Sequence, residues 1–465
     1  MKTKHVFLLL SFLTLIIRLY INFRIPLVPG INGGYGIVQV REIMETGRLA
    51  LPDMPFFFYL SALFVKAFSF LLPGQEVKDL IMIVMKVLDS AILPVLVWPV
   101  YLIQRDIFKT SYRIWFLTAL AGYAVLSFSP FILISDATKN SAGLFFMTFM
   151  FYFFFKYLKF SSKNDGIISA LFLILTGLTH FGTLTISLCA VIIGLIVFYR
   201  KKAIIGVFGV IILAFLIVFI FDKNRAISLL SAWEDMFTVF ISPRLAYYPE
   251  GIFNYLSSFV IIWLAIKTNR NHKSEMGSFD SKILLMLVVF IAILSFPFYH
   301  FEFGRRFGLM LFVPQSVVLL LIYKYTSSRI NNFIVIILTT VVIISVAQCL
   351  ISPKPALITD EAFNDLKYVK KFINKEGQVI VFARHGLEWW VAWEMQVHIA
   401  GSHIVADQEM QMNYNHIYYL VQKEGENVLY PGGNSLFKKP VPPENTKLVY
   451  SSDYFNLHEL VFERS

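Results

Sequence analysis

The chain has 465 residues, 57% of them hydrophobic and 15% charged, with 47 phenylalanines and a net charge of +11. A soluble globular domain runs about 45–50% apolar and about 25% charged, so a disordered chain, a fibre and a single soluble core are all excluded. The positive charge does not point to nucleic acid, because Lys and Arg sit in short clusters between apolar blocks of membrane-spanning length.

Taken in chain order, the apolar blocks are 5–23, 56–73, 80–103, 114–132, 141–157, 166–180, 182–199, 203–221, 251–267, 283–299, 306–323 and 332–350. The first lacks a small-residue cleavage site and is interrupted by Arg18, which predicts an uncleaved span and not a signal peptide. Block 56–73 follows Pro55 and carries Lys66 in its middle. If it crosses the bilayer, every basic cluster after Lys2/Lys4 falls outside. If it lies in the plane of the outer surface, the clusters at Arg105/Lys109/Arg113, Lys156/Lys159/Lys163, Arg200/Lys201/Lys202, Lys267/Arg270/Lys273/Lys282 and Lys324/Arg329 all lie inside with Lys2/Lys4, as the positive-inside rule requires. The pattern therefore predicts an all-α polytopic membrane domain over 1–351, with about eleven transmembrane helices and one in-plane outer helix. It also predicts an integral plasma (inner) membrane protein with a cytoplasmic N-terminus.

Region 352–465 is polar and mixed, and is expected to form a small α/β extracytoplasmic domain. Its pattern predicts a helix at 360–374, a strand at 377–383, a helix at 386–396 and strands at 446–451 and 457–463. Cys189 and Cys349 sit in apolar blocks without metal-ligand spacing.

Charged residues inside spans are costly and usually face a partner or a cavity. Arg18, Lys86 and Asp89 are of this kind, and Lys86 and Asp89 are three apart on one helical face and can pair. The outer segments carry the rest of the candidate chemistry. Segment 24–79 holds a short helix, "GIVQVREIMETG", ended by Gly47 and bearing Arg41, Glu42 and Glu45; Asp53 follows it. Segment 133–140 holds Asp136, Lys139 and Asn140, and segment 300–305 with the start of the next span holds His300, Glu302, Arg305 and Arg306. Arginine suits phosphate through its planar fork, and a carboxylate serves as a general base or as a ligand for a divalent cation. Cations and acids on one membrane face are what a transferase using a lipid-phosphate substrate needs.

This arrangement resembles the GT-C superfamily of membrane glycosyltransferases, which includes protein O-mannosyltransferases, oligosaccharyltransferase catalytic subunits and lipid A aminoarabinose transferases. The resemblance rests on "Y…VREIMETGRL" with a "D-x-P" in-plane helix, "SDATKN" before "GLFFMTFMFYFFF", "GLTHFGT", "RRFGLMLFVP" and a closing soluble domain. It implies a sugar donor linked to polyprenyl phosphate, an acceptor that is a lipid, glycan or protein, and no nucleic acid partner. It implies Asp136 as the second-loop acid and Arg305 and Arg306 as donor-phosphate contacts; the outer-loop residues themselves add Asp53 or Glu302 to the catalytic centre and Asn32, Tyr35, Arg41, Lys139, Asn140 and His300 as expected substrate contacts. A divalent cation is a weak further implication, with no metal ligands assigned. Asn32, Gly33 and Gly34 stand where the superfamily carries a first-loop acid. Either Glu42, Glu45 or Asp53 replaces it, or the acceptor needs no strong base, or the chain is a silent binding or assembly subunit of a surface-polysaccharide system. A transporter of a lipid-linked substrate is a further alternative, weakened by the lack of an internal repeat.

Other features receive plainer readings. Glu234 and Asp235 are lesser candidates, and His180 in "LTHFG" is read as a structural interface residue. "VIVFARHG" matches the strand-Arg-His-Gly form of histidine phosphatases, but no second catalytic histidine segment accompanies it. Glu388, Trp389, Trp390 and Trp393 read as core or rim of the soluble domain, with a sugar-stacking platform as the lesser alternative.

Overall fold

The computed structural model describes residues 3–109, 112–135, 138–199, 203–221, 223, 227, 236–237, 249–352, 354–401, 408–423 and 438–461. Two compact units emerge. One comprises Met1–Leu19, Pro52–Phe57 and Leu88–Pro353; the other comprises Tyr20–Leu51, Phe58–Val87 and Lys354–Ser465.

All twelve apolar blocks form helix. Among the described residues, seven helices are long and apolar enough to cross a membrane, including Lys4–Phe23, Val77–Phe108, Thr138–Phe160 and Ser328–Ile351. The chain is an integral membrane protein of mostly helical build. Lys163–Thr179 and Ser278–Leu294 are 17 residues each, at the short end of span length, and Phe312–Tyr325 is 14. Phe56–Leu71 is 16 residues, which at 1.5 Å per residue is about 24 Å against a hydrocarbon core of about 30 Å.

In the first unit, boundaries move where prolines and glycines intervene. Pro94 opens a 3-10 turn, Leu93–Leu96, inside the long Val77–Phe108 span, because proline lacks the N–H that an α-helix would use. The segment expected as an outer loop at 300–305 is instead a short helix, Phe301–Gly308, with Arg305 and Arg306 in its last turn. Helices Thr138–Phe160 and Phe181–Tyr199 approach so closely that a Cβ on Gly143 would lie 2.3 Å from Thr183 Oγ1.

The second unit is built on a five-stranded sheet. Its strands are β1 (Val379–Ala383), β2 (His398–Gly401), β3 (His416–Gln422), β4 (Thr446–Ser451) and β5 (Phe455–Leu460), in the order β2-β1-β3-β5-β4. β1 runs parallel to β2 and β3, while β3–β5 and β5–β4 are antiparallel. All five residues of β1 are buried, as a strand covered on both faces requires. β2 and β3 add to the strands expected from sequence. The expected helices are present as Asp360–Val369, with a 3-10 turn at Lys370–Phe372, and Leu387–Met395. Trp390 and Trp393 are fully buried.

The first-loop segment belongs to this second unit. Gly30 N–H donates to the Pro355 carbonyl at 2.8 Å. Helix Gly33–Thr46 packs on helix Leu387–Met395: a Cβ on Gly34 would sit 2.8 Å from Trp389 Cβ. Gly47 ends the first of these helices at φ 77°, donating its N–H to the Ile43 carbonyl, the left-handed stop that glycine favours.

Candidate active site

In the first unit the chain brings two of the expected site residues together. Asp53 lies between Pro52 and Met54-Pro55, where proline blocks helix until Phe56. Its carboxylate is 1% exposed, accepts the Met54 N–H through Oδ1 at 2.8 Å, and pairs through Oδ2 with Lys139 Nζ. Lys139 is in the first turn of helix Thr138–Phe160 and keeps about a fifth of its side chain exposed. Asn140 follows it, half-buried.

Below Lys139 on the same helix face, at steps of seven, ten and fourteen residues, come Phe146, Phe149 and Phe153. All three are half-buried and meet Phe172 of helix Lys163–Thr179, with ring centroids 6.3, 5.5 and 5.6 Å apart. Phe56, three residues after Asp53, packs edge-on against Phe146 at 5.5 Å. The Lys139–Asp53 pair thus stands at the start of a helix whose aromatic residues pack against Phe172.

The corner that carries Lys139 is held from within the unit. Arg18, fully buried, donates to the Asp89 carbonyl from Nε at 3.2 Å and Nη2 at 3.0 Å, and to the Pro130 carbonyl from Nη1 at 2.8 Å. Nη2 also meets Asp89 Oδ2 at 3.2 Å. Asp89 Oδ1 in turn accepts the Ser135 N–H at 3.0 Å and the Thr138 hydroxyl at 3.1 Å. The sequence marked Arg18 and Asp89 as costly charges but not as partners. Lys86, the partner suggested by spacing, donates to the carbonyls of Ile25 and Pro26 at 2.7 and 2.9 Å.

The remaining candidates are placed as follows. Asn32 is the N-cap of helix Gly33–Thr46. Tyr35 accepts from Gln39 Nε2 at 2.9 Å and packs edge-on against Phe58 and Trp389. Arg41 is buried and donates from Nη1 to the carbonyls of Ala392 and Trp393 at 3.0 and 2.8 Å. Burial draws its guanidinium below the usual range, with Glu45 and then Glu42 acting in the opposite sense. Glu45 lies 3.7 Å from Arg41. His300 is exposed, and its N–H donates to the Met236 carbonyl at 2.9 Å. Arg305 is half-buried and Arg306 exposed. Glu302 has its backbone in helix Phe301–Gly308, while its side chain, like Asp136, Glu234 and Asp235, is outside the described residues.

His180 caps helix Phe181–Tyr199, its Nδ1 accepting the Thr183 N–H at 3.1 Å, which is the structural role read from its sequence setting. Gly33 is one of the three positions at which the resemblance leads to the expectation of an acid. A Cβ at Gly33 would lie 2.4 Å from the Val28 carbonyl oxygen, so that turn has no room for a side chain. Among the described residues, no group of three or more His, Cys, Asp or Glu side chains is gathered for a metal ion.

The sequence matches no family model and no curated protein. Solved structures of similar fold do exist. The oligosaccharyltransferase of Archaeoglobus fulgidus in its apo form superposes with a TM-score of 0.56 at 10% identity, covering 89% of this chain and 69% of that one. ArnT from Cupriavidus metallidurans bound to undecaprenyl phosphate superposes with a TM-score of 0.55 at 10% identity, covering 100% of this chain and 99% of that one. The archaeal oligosaccharyltransferase AglB in complex with an inhibitory peptide and a dolichol-phosphate gives 0.52 at 11% identity, covering 89% and 69%. The chain has the GT-C fold.

Proposed function

We propose that the chain is a membrane glycosyltransferase that moves a sugar from a polyprenyl-phosphate-linked donor to a lipid, glycan or protein acceptor, with Lys139 and Asp53 at the reacting centre. The observation that carries this reading is the Lys139–Asp53 pair standing above the Phe146–Phe149–Phe153 stripe. A lipid phosphate has one charged end and one apolar end, and this surface complements both. Neighbours of the same fold, solved with undecaprenyl phosphate and with dolichol-phosphate, support the choice of carrier.

The chemistry follows from the charges. The donor phosphate competes with Asp53 for the Lys139 ammonium, which is a point charge suited to a phosphate oxygen. Asp53, relieved of its cation, is then the stronger base and takes the proton of an acceptor hydroxyl. The acceptor oxygen bonds to the sugar's anomeric carbon as the bond from that carbon to the phosphate oxygen breaks. The phosphate leaves with the electron pair, and Lys139 neutralises the charge that develops on it. Asp136 and Glu302 remain candidates for the same centre, and Arg305 and Arg306 for further phosphate contacts.

The basic clusters support a cytoplasmic N-terminus and a C-terminal region on the outer face of the plasma membrane. Gly33 favours a second reading, a silent binding subunit, because no acid fits at its position. Transfer assays in proteoliposomes decide between the two. The enzyme reading expects turnover of a polyprenyl-phosphate sugar that Lys139→Met strongly reduces and Asp53→Asn abolishes. Binding of the carrier without turnover of any such donor favours the silent subunit.

A further inference from the structure

We infer that Arg18 and Asp89 are positioning residues that set the corner carrying Lys139; the ligand consequence rests on the function proposed above. The chain of contacts is continuous within the first unit. Arg18 joins the Asp89 side chain and carbonyl to the Pro130 carbonyl. The other oxygen of Asp89 holds the Ser135 N–H and the Thr138 hydroxyl. Thr138 is the residue before Lys139.

Three physical points make this more than a buried ion pair. First, Arg18 and Asp89 are 0% and 1% exposed, and two charges in a low-dielectric interior persist only when paired and hydrogen-bonded. Second, Ser135 has φ 58°, a left-handed conformation costly for a non-glycine residue. The Asp89 carboxylate offsets that cost by accepting the N–H which the turn directs toward it. Third, Asp89 binds two points that bracket the start of helix Thr138–Phe160, so it fixes the direction in which the helix leaves the corner. Lys139 rides on that direction. A site must be held within about 0.5 Å by its supporting contacts to act on a reacting group, and these contacts join segments distant in the chain, 71 positions from Arg18 to Asp89 and 46 from Asp89 to Ser135.

Thr138 allows a mild test, because Thr138→Val removes one Asp89 contact at nearly constant shape and Thr138→Ser retains the hydroxyl. The corner is read first in the full-length protein in nanodiscs without ligand, by hydrogen exchange over 131–145. Faster exchange in Thr138→Val, with wild-type exchange restored in Thr138→Ser, is expected; unchanged exchange in Thr138→Val overturns the inference. Affinity for undecaprenyl phosphate is read second, well below the melting temperature of every variant. If losing this contact leaves the corner in its binding geometry about a tenth of the time, apparent affinity falls by that fraction, so Thr138→Val should bind about tenfold more weakly and Thr138→Ser as wild type. Equal affinity in wild type and Thr138→Val also overturns the inference. A wild-type chain that binds no polyprenyl carrier instead removes the functional reading, and the exchange result still decides whether the pair positions the corner.

Discussion

Lys139 and Asp53 are 86 positions apart in the chain and form an ion pair in which the carboxylate is almost wholly enclosed and the ammonium is partly open. In the mechanism proposed above, the cation is the member an incoming phosphate reaches, and the acid is the member released when it does.

Substituting either member separates their roles. Lys139→Met leaves a buried carboxylate without this cation, so it should lower the melting temperature and reduce transfer by about two to three orders of magnitude, as removal of a preorganised charge contact does. Asp53→Asn should retain binding of polyprenyl phosphate, or strengthen it, while abolishing turnover. Paired measurements of carrier affinity and transfer rate check both.

Gly33→Asp should not restore an enzyme with a missing acid. The new Cβ would meet a backbone oxygen at 2.4 Å, and overpacking of this kind costs about 1–3 kcal/mol. A lower melting temperature with no gain in transfer is the expected result.

Arg41 was a candidate substrate contact by sequence, and the structure gives it the carbonyls of Ala392 and Trp393 near the end of helix Leu387–Met395. Arg41→Ala should destabilise the protein by on the order of 2–3 kcal/mol, the range for bonds to a charged donor. Carrier affinity measured below the melting temperature should be unchanged.

Burial lowers the pKa of the His458 imidazole on β5. The unfolded chain therefore binds the proton more readily, and this group favours folding above the ordinary histidine pKa of about 6.5 and withdraws that contribution as pH falls below it. Melting curves followed by tryptophan fluorescence at pH 5.5 and 7.5 should show a smaller acid loss in His458→Gln than in wild type.

The features legible in the sequence were those with local causes. Twelve apolar blocks became helices, the Gly47 stop was visible as a glycine after a helical run, and β1 was visible as the apolar run "VIVFA". β3, "HIYYLVQ", is largely buried, so it lacks the alternation that marks a half-exposed strand. β2 has only four residues. The site was legible as separate acids and cations on outer segments, but the pairing of Asp53 with Lys139 depends on packing between distant segments. The same holds for Arg18 and Asp89, where helical spacing pointed to Lys86. The lack of room for a side chain at Gly33, beside the Val28 carbonyl, became visible only in three dimensions.

The most direct test of the central claim is the thermal shift of the purified full-length protein in nanodiscs on titration with undecaprenyl phosphate, alongside Lys139→Met. A ligand that binds only the folded state must raise its stability as concentration exceeds the dissociation constant. The account predicts a saturable rise in melting temperature for wild type and none for Lys139→Met. No rise in wild type, or an equal rise in both, would contradict a lipid-phosphate site at Lys139.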